Sequence, residues 1–158
     1  MQKGQKMIMD IIQSRDYQVI IQEQIYDIID YLLAHDNEFS ITASIQYASF
    51  EPQLPQPIMQ TFSEYTMFSL MNYTYTTIEL TPTHISFEAG FGAENFGSVV
   101  TIPLNAIFQI VLEESILYLN PTATVQNLSI DMIEEEDQEL DHKAKSMNAF
   151  MKNNKDLF

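Results

Sequence analysis

Over residues 16–36 the apolar positions return every three or four residues: Tyr17, Ile20, Ile21, Ile25, Ile28, Ile29, Leu32 and Leu33. That period gathers them along one side of a helix and leaves Gln22, Glu23, Asp27 and Asp30 on the other. The spacing predicts a leading helix over about 16–36, with Ser14 or Asp16 as its N-terminal acceptor. Ile8, Ile11 and Ile12 suggest a further helical turn or a short arm upstream. After Asp36 the period drops to two. Ile41, Ala43, Ile45 and Tyr47 alternate with Ser40, Thr42, Ser44 and Gln46, which predicts a half-buried strand. Pro52, Pro55 and Pro57 then interrupt any ladder, so 51–57 is expected as a loop, and 58–62 as a short helical turn.

Short strands are expected next at 66–73, 76–80, 84–91, 98–102, 106–112 and 116–119, separated by turn-forming residues. Thr81-Pro82-Thr83 and the glycines Gly92 and Gly97 mark two of those turns, and Pro103-Leu104-Asn105 reads as a kinked connector. One helix followed by six or seven short strands predicts a mainly β domain of the α+β class over 1–121. A strongly bent antiparallel sheet or a small open barrel would satisfy that order. Residues 122–158 change character. Seven carboxylates crowd 131–141, as in a solvated linker, and a basic amphipathic tail follows with Met147, Phe150, Met151, Leu157 and Phe158.

Charge narrows the function classes. The 158-residue chain carries a formal charge of −15, with no Lys or Arg between Arg15 and Lys143. All of its 22 carboxylates except Asp10 and Asp156 lie in that stretch. Nucleic-acid binding draws on cations that displace counterions from phosphate, so this body disfavours it, and anionic membrane surfaces likewise. Acidity also has a plain physical use in keeping a protein soluble. The chain holds no cysteine, which removes disulfides, thiolate metal sites and a cysteine nucleophile and suits a reducing, cytoplasmic setting. No apolar run is long enough to span a bilayer, and the N-terminal residues do not form a convincing signal peptide.

Catalytic patterns are missing. His35, His84 and His142 show no metal-ligand spacing, and the run Glu134 to Asp137 lacks the alternating ligands and glycine of a calcium loop. Gly90-Phe91-Gly92 has no following Lys-Ser/Thr, so a hairpin end explains it better than a phosphate loop. There is no Gly-x-Ser-x-Gly. Glu113 and Glu114 are adjacent, and in a strand they face opposite sides. No enzyme activity, cofactor or metal is expected. A peptide-binding surface fits better: an open sheet edge can accept an extended peptide, and Met67, Phe68, Met71, Tyr73, Phe87 and Phe91 supply adaptable apolar area or core.

Three segments carry a family resemblance. They are Thr77-Ile78-Glu79-Leu80, then His84 through Gly92, then Val99-Val100-Thr101-Ile102-Pro103-Leu104-Asn105-Ala106-Ile107. Their order and spacing, over about half of the chain, resemble the stringent starvation protein B (SspB) family, and the Pro-x-Asn-Ala-Ile box is closest to its alphaproteobacterial branch. The resemblance implies an Sm-like bent sheet behind an N-terminal helix, assembled as a homodimer. It implies a groove for ssrA-type degradation tags and a tail that docks on the N-terminal domain of ClpX, so that tagged proteins reach the ClpXP protease. Met71, Tyr73, Phe87, Ala89 and Phe91 match groove positions. Phe150, Met151, Lys152, Lys155, Leu157 and Phe158 take the place of the docking tail, although they do not copy the family motif. Tyr73 stands where some members have a basic residue, so this body offers no cation to an acidic tag. An Sm-like interaction module without a ClpX role is the alternative.

Overall fold

A computed structural model describes residues 2–125 and Leu128. Two helices lead: α1 is Gln2–Ile12 and α2 is Arg15–Ala34. Ser14 caps α2 by accepting the Tyr17 N–H at 3.4 Å, as its position suggests. Ile21, Ile25, Ile29 and Leu32 form the buried stripe of α2. Each such side chain contributes about 1.5–3 kcal/mol by leaving water.

Eight strands follow: β1 (Phe39–Ser44), β2 (Ser49–Glu51), β3 (Tyr65–Leu70), β4 (Glu79–Leu80), β5 (His84–Phe91), β6 (Phe96–Pro103), β7 (Ile107–Leu112) and β8 (Ser115–Leu119). Short helices α3 (Gln56–Met59) and α4 (Asn72–Thr76) lie between them. The strands make two antiparallel four-stranded sheets, in the orders β3-β1-β7-β8 and β2-β6-β5-β4. Both sheets and α2 share one core, in which Phe39, Ile41, Leu70, Ile85, Phe87 and Ile102 are among the buried side chains. The protein is therefore a small α+β fold with N-terminal helices.

Several sequence expectations are corrected. β1 ends at Ser44, and Ile45–Tyr47 is a 3-10 turn, not the end of a strand. Nor is β1 half-buried. It is central to its sheet, and Ser40, Thr42 and Ser44 are buried along with their apolar neighbours. Thr42 is satisfied there by Gln109 Nε2, which donates to its hydroxyl at 2.9 Å.

The strand expected over 66–73 stops at Leu70. Asn72 turns into the left-handed region at φ 54°, and its N–H donates to Glu38 Oε2 at 3.2 Å instead of a ladder partner. Tyr73 thus sits on α4, and only Glu79 and Leu80 remain of the strand expected over 76–80. The compact unit also runs past the expected end at 121. Val125 and Leu128 are buried against the core, and the Leu128 N–H donates to the Tyr47 hydroxyl at 3.2 Å. Residues 129–158, with the acidic run and the tail, lie outside the described residues.

Asn105 and Asn120 hold the closing segments to α2. Gln22 Nε2 donates to the Pro82 carbonyl at 3.1 Å, and Asn105 Nδ2 donates to Gln22 Oε1 at 3.3 Å. Asn120 Nδ2 donates to the carbonyls of Asn105 and Ile107 at 3.1 and 2.9 Å. Its Oδ1 accepts the Thr122 N–H at 2.9 Å and the Thr122 hydroxyl as well. Buried amides cost free energy unless paired, and these bonds join them to one another and to nearby backbone.

Candidate functional site

The β5–β6 hairpin builds the site. Its register is unbroken from His84↔Pro103 to Phe91↔Phe96, and a four-residue turn closes it. Gly92 adopts φ 76° there, and the Asn95 N–H donates to the Gly92 carbonyl at 3.1 Å. On one face of the hairpin, Glu88 stands opposite Val99 and Gly90 opposite Gly97. On the other, Ala89 stands opposite Ser98.

A cavity of about 520 Å³ lies against this hairpin. Glu88, Ala89, Gly90, Gly97, Ser98 and Val99 supply its hairpin side. Glu51 and Pro52, where the chain leaves β2, form a second part of the lining. Met71 through Thr74, where the chain leaves β3 and enters α4, form a third. Local contacts fix both of these walls. Ser98 Oγ donates to the Pro52 carbonyl at 2.8 Å. The Tyr73 hydroxyl donates to Glu88 Oε2 at 2.6 Å and ties α4 to β5. That bond, then the Glu88 charge, and least the slight loss of hydration, hold the Tyr73 phenol above the ordinary tyrosine range.

One edge of β5 is open beside the cavity. β4 pairs only with Ile85 and Ser86. Beyond them the Glu88 N–H donates to Thr77 Oγ1 at 2.8 Å, and that hydroxyl donates to the Thr74 carbonyl at 2.7 Å. The Glu88 amide therefore points away from β6. Along a strand the backbone groups of alternate residues point the same way, so those of Gly90 point to this edge too. Among the described residues no strand pairs there. Thr77 takes the Glu88 amide, and the Gly90 end of the edge, next to a cavity with Met71, Val99, Pro52 and Ala89 in its lining, is suited to hydrogen-bond an extended backbone and to bury a side chain.

Of the expected groove positions, Met71, Tyr73 and Ala89 come together in this lining. Phe87 and Phe91 do not. Phe87 is 1% exposed and packs in the core against Phe68, with ring centroids 5.7 Å apart. Phe91 is half-buried among Phe50, Phe62 and Phe68 at 5.8 to 6.5 Å. Period two does put them on the face of Ala89, but that face is the core side of the sheet for most of its length. The expected tail residues Phe150, Met151, Lys152, Lys155, Leu157 and Phe158 lie outside the described residues. Sequence reasoning missed Glu51, Gly97, Ser98 and Val99, because their relevance comes from strand pairing. Asn72, a residue that tolerates the left-handed region, was the available signal that Tyr73 leaves its strand.

No group of three or more His, Asp or Glu residues among the described residues could hold a metal ion. Among them no helix is long and apolar enough to cross a membrane. No family model matches the chain, and no curated protein matches its sequence.

Proposed function

We propose that this chain is a peptide-binding adaptor of the SspB type, which captures ssrA-type degradation tags and hands the tagged substrates to ClpXP. The observation that carries the reading is the cavity of about 520 Å³ set against the edge of β5 at Gly90, where among the described residues no strand pairs. The two sheets around one core are read, on this proposal, as the bent Sm-like sheet of that family. The adaptor works in the cytoplasm without a chemical step, cofactor, metal, nucleic acid or membrane. Its tail, including Phe150, Met151, Lys152, Lys155, Leu157 and Phe158, docks on the N-terminal domain of ClpX, and tethering raises the local concentration of substrate at the protease. A homodimer is part of the reading. Support for it comes from apolar side chains left exposed on α1 and β8, among them Met7, Ile8, Ile11, Ile116, Leu117 and Leu119.

Fluorescence anisotropy of a labelled ssrA-type peptide from the same organism, titrated with the full chain, tests the proposal. Saturable binding at micromolar concentration or tighter is expected. Absence of binding to folded protein overturns it. If the peptide binds but removal of residues 143–158 leaves degradation of a tagged substrate by ClpXP unchanged, an interaction module without a ClpX role takes its place.

A further inference from the structure

Glu51, Val99 and Glu88 form one row across three neighbouring strands. Val99 of β6 is the register partner of Glu51 in β2 and of Glu88 in β5. Directly paired residues project to the same face, so the two carboxylates flank the valine on one surface, about 10 Å apart at the backbone. All three residues are exposed, and all three line the cavity. Val99 is 39% exposed, an uncovered aliphatic side chain between two acids. In the next row Gly97 leaves the surface open, while the side-chain amide of Asn95 lies over its partner Gly90.

We propose that the cavity selects a Lys or Arg side chain of the bound peptide. This rests on the peptide-binding reading above and names the chemistry that the site prefers. A long basic side chain has two parts, an aliphatic stem and a charged head, and it gains most where a carboxylate stands beyond an apolar strip. The stem lies along Val99, and the cationic head reaches the carboxylates of Glu51 and Glu88. Tyr73 occupies Oε2 of Glu88, and the other oxygen of that carboxylate is an acceptor for the head. The surroundings work in the same direction. No Lys or Arg lies between Arg15 and Lys143, so no cation from that stretch neutralises the pair. An acidic side chain at the same place would meet two carboxylates and the field of a chain with net charge −15. The site is the cavity beside the Gly90 end of the β5 edge, and the two acids set which side chain it admits.

The test uses one labelled ssrA-type peptide and a set of variants in which each residue in turn becomes Lys, norleucine or Glu. Norleucine keeps the stem and removes the charge. Affinities are measured by anisotropy on the full chain at 50 and 500 mM NaCl. At one peptide position, Lys is expected to bind at least fivefold tighter than norleucine and at least twentyfold tighter than Glu. The advantage over norleucine should shrink severalfold at high salt and in Glu51→Gln or Glu88→Gln. Peptides that all bind with equal affinity at every position overturn this inference and leave the peptide groove standing. Tightest binding by a Glu peptide overturns it in the same way. If neither the parent nor any variant binds, the peptide-binding reading falls, and this inference with it.

Discussion

Gly90 and Gly97 are partners across the β5–β6 hairpin, yet a side chain would meet opposite fates at the two positions. At Gly90 a Cβ collides with the side-chain amide of Asn95. At Gly97 it meets nothing within 4 Å, while the residue lines the cavity. Gly97→Leu should therefore fill part of the cavity without disturbing the fold. Peptide affinity is expected to fall at least tenfold, about 1.4 kcal/mol. The thermal midpoint should hold or rise, since Gly weakens a strand. Unchanged affinity in a folded variant would place the peptide elsewhere.

Tyr73 and Glu88 make a second test of the same surface. The bond and the carboxylate charge together favour the protonated phenol, so ionisation of Tyr73 is delayed as pH rises. Glu88→Gln removes the charge and should bring the Tyr73 midpoint down toward that of an ordinary exposed tyrosine. Ring 13C shifts followed through the alkaline titration report it. A midpoint that ignores the substitution means that the hydrogen bond from Tyr73 to Glu88 is not formed in solution.

Phe87 separates stability from binding. Phe87→Leu keeps an apolar side chain of different shape in the core and should cost roughly 1 kcal/mol in urea denaturation. Peptide affinity of the folded variant should match the wild type, because Phe87 lies in the core and not in the cavity lining. A tenfold loss of affinity without loss of stability would return Phe87 to the groove.

What could be read in the sequence, and what could not, follows from the range of the forces involved. The helical stripe from Tyr17 to Leu33 and the alternation of His84 to Phe91 depend on local period, and both elements form where that period puts them. The error at β1 has a different origin. Ser40, Thr42 and Ser44 look like a solvent face, but neighbours on both sides of the strand bury them, and Gln109, distant in sequence, supplies the partner for Thr42. Part of the lining was readable through Met71, Tyr73 and Ala89. Phe87 was misplaced because alternation gives the face of a strand but not how far the core extends along it. The row Glu51, Val99, Glu88 depends on register between strands, which no local pattern encodes.

Asn120 carries more than its size suggests. Asn120→Ala would remove its bonds to the carbonyls of Asn105 and Ile107 and to the N–H of Thr122. A cost of about 2–3 kcal/mol is expected in urea denaturation, since buried groups that lose a bond bear the full desolvation penalty. A cost under about 0.5 kcal/mol would mean that water replaces the amide.

His84 gives a pH signature. Burial lowers its pKa below the usual 6.5, so the unfolded chain takes up the proton more readily than the folded one. Stability from this group is intact above pH 6.5, declines as pH falls through that value, and levels off below the folded pKa. The difference in thermal midpoint between wild type and His84→Gln should accordingly narrow or reverse as pH drops from about 7.5 to about 5.5. A difference constant across that range would show that His84 titrates alike in both states.

Gln22 and Asn105 settle a question that oil-like contacts leave open. The buried stripe of α2 repeats as Ile21, Ile25 and Ile29, one isoleucine per turn. Slid along its axis by a turn, such a helix would still offer isoleucine to two of the three hollows. Gln22 receives the Asn105 amide, and it also reaches the Pro82 carbonyl. The pair acts as a detent: it fixes one notch of a ratchet whose teeth are otherwise alike.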